Sequence, residues 1–165
     1  MEQTIAVVGG TGNLGAALAR RWAKAGKKVI IGSRTAEKAQ EAAVRLSAGL
    51  DTAILSASNL DAARAADVVV ATVPFSSQAA VLEEIRPALA GKILIDTTVP
   101  LMPPKVARVQ LPAEGSAAQR AQQLVGEMVR IVSAFHNVAA HKLATDHEVE
   151  CDVLVFGDDK DARAV

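Results

Sequence analysis

The sequence predicts an α/β protein with a Rossmann-like, doubly wound parallel sheet in a single domain. Short apolar runs alternate with longer amphipathic segments, which is the rhythm of βαβ units joined by right-handed crossovers. The first apolar run leads directly into a glycine-rich turn. Of the 165 residues, 50% are hydrophobic but only 2% are aromatic, so the core must consist of Ala, Val, Leu and Ile, as in covered parallel strands.

The first predicted unit is a strand over residues 4–8, a turn, a helix over 16–25 that ends at Gly26, and a strand over 28–31. The turn has G-x-G-x-x-G spacing, which permits a tight turn, a close approach of backbone to a pyrophosphate, and close packing of helix on sheet. N–H groups at the helix start favour a diphosphate. Dinucleotide binding is therefore predicted, with a purely structural turn as the alternative. The residues of the turn are Gly10, Thr11, Gly12, Asn13, Leu14 and Gly15.

The end of the second strand favours NADP over NAD. An NAD-binding chain normally places a carboxylate here for the ribose 2′-hydroxyl, and this chain has none before Glu37. Ser33, Arg34 and Lys38 instead offer a hydroxyl, a guanidinium and an ammonium group to a 2′-phosphate. In the alternative interpretation Ser33 or Thr35 caps the next helix, and the two cations are solvated surface charges.

The chain beyond this point continues the alternation. Apolar runs bounded by turn residues predict strands, and amphipathic runs between them predict helices, the last of which Ser76 or Ser77 would cap. In chain order the segments are helix 35–48, strand 52–56, helix 60–66, strand 67–73, helix 77–89 and strand 92–96.

A proline-rich loop over residues 97–115 interrupts the rhythm. It leaves the carboxyl end of a strand, where open parallel sheets bind ligands, and a loop of this length is usually functional or mobile. Because a helix cut off at Val165 would be marginal, we expect residues 1–165 to be one NADP-binding domain that is C-terminally incomplete. The elements after the loop are helix 116–129, strand 131–134, a partial helix in 137–145, strand 151–156 and a helix beginning at 157–159.

Composition and charge exclude several classes of partner. Lys and Arg number 18 and Asp and Glu number 18, which gives no net charge, and no basic stripe is present. We therefore expect neither nucleic acid nor an anionic membrane as a partner. No apolar run reaches the ~18 residues of a membrane span, and the amino terminus lacks a signal-peptide pattern. The single cysteine excludes an internal disulfide, so a cytoplasmic location is predicted.

Five short segments, read together, carry a family resemblance that extends over the whole chain. They are Gly9-Gly10-Thr11-Gly12-Asn13-Leu14-Gly15, Ile31-Gly32-Ser33-Arg34, Val73-Pro74-Phe75, Thr97-Thr98-Val99-Pro100 and Ser133-Ala134-Phe135-His136. The segments resemble the NADPH-dependent reductases of coenzyme F420, a 5-deazaflavin. The resemblance implies an oxidoreductase that transfers hydride between NADP(H) and F420, a small-molecule co-substrate. Members of that family continue past the point where this chain ends, and the resemblance implies a homodimer at full length.

The resemblance also implies where both molecules bind. The glycine-rich turn would hold the pyrophosphate, and the three polar residues after the second strand would hold the 2′-phosphate. The residues implied along the nicotinamide are Val73, Ser77, Val99 and Ala140. The residues implied around the deazaflavin are Pro100, Leu101 and His136.

No catalytic side chain is predicted, because hydride would pass directly between nicotinamide C4 and deazaflavin C5. His136 would either donate to the deazaflavin or act as a structural hydrogen-bonder, and both roles stay open. Two further functions also stay open. One is a related reductase with a flavin, a metal chelate or a small imine as its acceptor, and the other is an NADP-binding module without turnover.

Other polar clusters receive structural interpretations. The histidines near the carboxyl end match no metal-ligand spacing, so no metal is predicted. Cys151 is expected to be buried beside a strand, and Asp158 and Asp159 are expected to begin a helix. Arg20 and Arg21 are expected on a solvated helix face.

Overall fold

The computed structural model describes residues 3–101 and 108–165, and these build a seven-stranded sheet with helices on both faces. In chain order the strands are β1 (Thr4–Val8), β2 (Lys28–Ser33), β3 (Leu55–Ser58), β4 (Val68–Ala71), β5 (Ile93–Asp96), β6 (Arg130–Ala134) and β7 (Val155–Phe156). They lie side by side in the order β3-β2-β1-β4-β5-β6-β7. Strands β1 to β6 are parallel and β7 is antiparallel to β6, which confirms the predicted Rossmann-like class.

The order of the strands reverses direction at β1. The chain moves outward from β1 to β2 and β3, then returns to build β4, β5 and β6 on the other side. Val8 at the end of β1 pairs with Gly32 on one side and with Ala71 on the other, so three strands end at the same edge. Ligands of open parallel sheets bind at such a switch point, outside the carboxyl ends of the strands.

Small and branched residues pack the helices onto the two faces. The helices in the described residues are α1 (Asn13–Lys24), α2 (Ala36–Ser47), α3 (Asn59–Ala65), α4 (Phe75–Ile85), α5 (Ala117–Val125), α6 (Ala140–Leu143) and α7 (Lys160–Arg163). Side chains of α1 and α2 bury Val7 and Ile31 on one face, whereas α3, α4 and α5 cover Val8, Val69 and Leu94 on the other. Alternate residues of each strand thus enter different cores, because successive side chains point to opposite faces.

Three expectations from the sequence are wrong. The strand over 151–156 is reduced to β7, because β6 ends at Ala134 and the left-handed backbone of Phe135 (φ 67°) ends the edge available for pairing. Cys151 is exposed rather than buried. Neither Ser76 nor Ser77 caps α4, which begins directly after Pro74, whose ring already fixes a φ of −59°.

The prediction of a solvated helix face for Arg20 and Arg21 is also wrong, because both side chains bind backbone carbonyls. Arg21 donates to the backbone carbonyls of Leu143, Thr145 and His147, each at 2.7 Å. Arg20 donates to two carbonyls at the end of α2. The two guanidinium groups therefore attach the segment after β6 and the end of α2 to α1.

Part of the predicted loop over 97–115 lies outside the described residues, including Pro103 and Pro104. Where the loop is described, Leu101 forms an isolated antiparallel bridge with Val109. In the two described stretches, no helix combines the length and apolarity needed to cross a bilayer.

Candidate functional site

The glycine-rich turn leaves β1 and becomes the start of α1. Gly9 has a φ of +71° and its carbonyl accepts from Gly12 N at 3.1 Å, which closes the turn. Gly10 N donates to Gly32 O at 3.1 Å and thereby ties the turn to the end of β2. The left-handed residue is thus Gly9. It lies one residue before Gly10, the glycine to which the G-x-G-x-x-G spacing assigns the tight turn.

The glycines of the turn differ in what a side chain would meet. A Cβ on Gly10 would lie 2.7 Å from Val7 O, and one on Gly15 would collide with Thr72 Oγ1 and lie 2.8 Å from Gly10 Cα. A Cβ on Gly12 would meet nothing nearer than Gly9 O at 3.5 Å, an ordinary contact. Packing within the protein therefore explains Gly10 and Gly15 but leaves the absence of a side chain at Gly12 unexplained.

The first turn of α1 has the properties of an anion site. Gly12 is the N-cap residue, no side chain caps the helix, and the first turn has no acidic residue. Thr11, Gly12 and Asn13 are exposed. The N–H groups at the start of this twelve-residue helix are therefore presented to a ligand.

The polar residues at the end of β2 fall into two groups. Ser33 is buried and its Oγ lies 3.5 Å from Thr35 N, at the limit of a hydrogen bond. Arg34 and Lys38 are exposed and form no ion pair or side-chain hydrogen bond with the described residues. Thr35 is the N-cap residue of α2, but its side chain makes no capping bond. The capping alternative therefore lacks the hydrogen bond that would explain the hydroxyl at Thr35.

The residues implied along the nicotinamide are divided between two places. Val73 lies against the turn, since a Cβ on Gly9 would be 2.5 Å from its Cγ1. Ser77 is half-buried in the first turn of α4, where its N–H donates to Pro74 O. Ala140 instead lines a cavity of about 400 Å³ with Asn13 and other residues of α1 and α6.

A second cavity lies at the carboxyl ends of β5 and β6. Its volume is about 350 Å³, and Val99, Pro100 and His136 line it together with Ala117 and Phe156. Leu101 is exposed and does not line this cavity. The structure thus brings together two of the three residues implied around the deazaflavin with Val99 from the nicotinamide set.

Phe135 orients the residues at the end of β6. Its φ of 67° is uncommon for a bulky side chain, and its ring meets Trp22 of α1 edge to face at 5.9 Å between centroids. His136, the next residue, lines the cavity near β5. The left-handed residue thus separates an aromatic side chain that packs on α1 from a histidine that faces the cleft.

A buried polar network beneath this cavity was not predicted from the sequence. Asp96, the last residue of β5, accepts from Thr98 N, Thr98 Oγ1 and Gln78 Nε2 at 3.1, 3.0 and 2.8 Å. All three residues are at most 3% exposed. Burial raises the pKa of Asp96, while these hydrogen bonds and the charge of nearby His136 act in the opposite direction. The sequence does not distinguish Gln78 from other polar residues of α4, because its hydrogen-bond partners are distant in the chain.

Comparisons with known proteins agree with this geometry. Residues 4–100 match the family model described as NADP oxidoreductase, coenzyme F420-dependent. The F420-dependent NADP reductase of Methanothermobacter thermautotrophicus is 44% identical over 100% of this chain and 75% of its own length. The enzyme of the same name from Methanocaldococcus jannaschii is 39% identical over 98% of this chain and 75% of its own length.

A crystal structure assigned as an F420-dependent NADP reductase, from Arthrobacter sp. FB24, has the same fold. Its TM-score is 0.79 at 25% identity, and the match covers 98% of this chain and 76% of that one. The chain therefore spans about three quarters of the length of the relatives that it matches.

Asp96 should give the stability of the protein a specific pH dependence. The folded protein keeps the Asp96 proton to higher pH than the unfolded chain, whose ordinary pKa is 3.8. The contribution to the free energy of unfolding is therefore fully present below that value and is lost as the pH rises through the raised pKa.

Urea unfolding of the wild type and Asp96→Asn between pH 4 and pH 8 measures this contribution. The stability of the wild type relative to the variant should fall as the pH rises through the raised pKa of Asp96. A pH-independent difference for Asp96→Asn would refute the assignment.

Proposed function

The chain belongs to the family of coenzyme F420-dependent NADP oxidoreductases, and we propose that it transfers hydride between NADP(H) and F420. One observation carries the proposal. The glycine-rich turn, the cations Arg34 and Lys38 after β2 and the cavity beside His136 all lie at the carboxyl edge of the same sheet. That edge is where a dinucleotide and a second ring system would meet.

NADP is proposed to bind across β1 and β2, within a single domain over residues 1–165. Backbone from Gly10 to Gly15 would hold the pyrophosphate, and the open space at Gly12 lets it approach the helix. Ser33, Arg34 and Lys38 would hold the 2′-phosphate. The exposed guanidinium and ammonium groups have no partner within the described residues, so they keep their donors for a ligand.

The two rings are proposed to stack at the ends of β4, β5 and β6. Val73, Ser77, Val99 and Ala140 would border the nicotinamide. Pro100, Leu101 and His136 would border the deazaflavin. When bound, NADPH would give a hydride from C4 of its nicotinamide to C5 of F420, which would also take up one proton from water, leaving NADP⁺ and reduced F420.

The chain's own contribution is then positional. Apolar side chains such as Val99 and Pro100 offer flat contact and exclude water from the space between the rings. His136 stands at the rim, where an imidazole N–H can donate to a ring carbonyl. No acid–base pair is required, because a hydride moves directly from donor to acceptor.

The proposal extends to the setting of the enzyme. The family resemblance implies a homodimer at full length, a cytoplasmic location fits the single cysteine, and the balanced charge argues against nucleic acid as a partner. Light scattering at several protein concentrations tests the dimer, and fractionation of cells tests the location.

Two glycine substitutions separate binding from folding. Gly12→Ala should leave the free energy of unfolding within about 0.5 kcal/mol, because its Cβ meets only ordinary contacts, yet weaken NADPH binding by roughly tenfold or more. Gly15→Ala should destabilise the fold by about 1–3 kcal/mol, because Thr72 and Gly10 must move. Urea unfolding and NADPH titration of both variants give the comparison. Unchanged NADPH affinity in Gly12→Ala would rule out a pyrophosphate at this turn.

Arg34→Ala tests the choice of nucleotide. Loss of a charge-assisted bond to the 2′-phosphate should cost about 1.5–3 kcal/mol, or roughly tenfold to a hundredfold in NADPH affinity, with little change for NADH. Arg45→Ala is the matched control, since Arg45 is an exposed arginine near the other end of α2. Equal weakening for NADPH and NADH would contradict the role of Arg34.

Turnover identifies the acceptor. Addition of NADPH and F420 should bleach the visible absorbance of the deazaflavin, and NADH should be much less effective. NADPH binding without bleaching would indicate that the chain is an NADP-binding module without turnover. Oxidation of NADPH by a flavin, a metal chelate or an imine, but not by F420, would indicate a related reductase with another acceptor.

A further inference from the structure

The amide of Gln78 joins three elements in the interior of the protein. The residue lies in α4 and its side chain is fully buried. Its Nε2 is 2.8 Å from Asp96 Oδ2, 2.9 Å from Thr98 Oγ1 and 3.0 Å from Ala117 O. These acceptors belong to the end of β5, to the segment that follows β5, and to the first residue of α5.

The orientation of this amide is determined by its neighbours. Asp96 Oδ2 and Ala117 O are both acceptors, so the Gln78 atom that faces them must be the donor Nε2. An inverted amide would place Oε1 against two acceptors. In the observed orientation Gln78 Oε1 is buried and has no hydrogen-bond partner among residues 3–101 and 108–165.

An unpartnered buried oxygen is unfavourable for stability, because the carbonyl loses its hydration without compensation. An apolar side chain of the same length would avoid that loss but would remove a donor from both Asp96 and Ala117 O. An amide with one atom left unsatisfied beside a proposed binding cleft is the kind of departure from full hydrogen bonding that occurs at functional sites.

Two of the three acceptor residues lie at the walls of the cleft. Thr98 and Ala117 both line the cavity that Val99, Pro100 and His136 also line. Thr98 directly precedes Val99, so its two hydrogen bonds to Asp96 determine how the chain leaves β5. One buried amide therefore links the segment before Val99 to the start of α5 on the other side of the cavity.

We propose that Gln78 is a positioning residue for hydride transfer: by joining Asp96, Thr98 and Ala117 it fixes the two walls between which the nicotinamide and the deazaflavin stack. This role rests on the function proposed above. Gln78 touches neither ring, since it is fully buried beneath the cavity. It acts through the backbone at Val99, and a displacement of about 1 Å at a reacting ring can lower a rate by about a hundredfold.

If Gln78 has this role, loss of its amide should lower kcat with little change in the Kd for NADPH. Most of the NADPH affinity should come from the phosphate contacts around Gly12 and Arg34, on the other side of the sheet's switch point. Loosening the Val99 wall should therefore lower kcat at least tenfold while the Kd for NADPH stays within about threefold. Emission of the bound nicotinamide should also shift toward that of free NADPH, because the ring is held less firmly.

Gln78→Met tests this, because methionine keeps the length of the side chain and removes its donors. Gln122→Met is the matched control. Gln122 Nε2 also donates to two carbonyls, Gly126 O at 2.8 Å and Val129 O at 3.0 Å, but these lie at the opposite end of α5. We expect both variants to lower the melting temperature, and only Gln78→Met to lower kcat and change the nicotinamide emission.

The comparison of Gln78→Met with Gln122→Met distinguishes a positioning role from a purely structural one. Equal kcat and emission for the two methionine variants would overturn the proposal and leave Gln78 with a structural role. If Gln78→Met does not fold, Thr98→Val removes one partner of the same network and should lower kcat in the same direction. If the wild type binds NADPH but does not reduce F420, the proposed function fails, and the nicotinamide emission of Gln78→Met against Gln122→Met still decides the role of Gln78.

Discussion

The close contact between the start of α1 and the ends of β1 and β4 is the constraint on which the rest of the site depends. Gly15 lies so near to Thr72 and Gly10 that no side chain fits between helix and sheet. This contact brings the N–H groups of the first turn of α1 to the edge of the sheet where β1, β2 and β4 end together. Moving the helix outward by the width of a methyl group would displace the anion site from the cation pair after β2.

Local sequence signals explain why the part of the molecule around β1, β2 and the glycine-rich turn could be predicted. The glycine spacing, the apolar run of β1 and the lack of an acid after β2 are each contained within a few residues, and the chemistry of each follows from residue type. The alternation of strands and helices likewise predicted a doubly wound parallel sheet. The assignment of individual binding residues from Gly10 to Ala140 stays a prediction.

The other half depended on contacts that no local pattern contains. Gln78 meets Asp96 and Ala117 only after α4 and α5 have packed on the same face of the sheet. The two-residue β7 is short because Phe135 turns the backbone away, and the sequence has no glycine there to indicate a left-handed residue. Arg21 is one of two adjacent arginines on a helix, and its three carbonyl partners become apparent only with the segment after β6 in place.

Two internal comparisons distinguish residues that serve the fold from residues that are left for a ligand. Among the glycines, Gly10 and Gly15 are required by their neighbours, while Gly12 is not. Among the cations near α1 and α2, Arg20 and Arg21 bind backbone carbonyls, while Arg34, Lys38 and Arg45 bind no described group. Of these three, only Arg34 and Lys38 lie close to the end of β2, since Arg45 is in the last turn of α2. Glycine lowers stability because it loses more backbone entropy on folding, and an exposed charge without a partner adds little stability. Stability therefore explains neither Gly12 nor the cations Arg34 and Lys38, and both features favour a phosphate ligand. Both also lie at the carboxyl edge of the sheet, so a single dinucleotide would account for the two together.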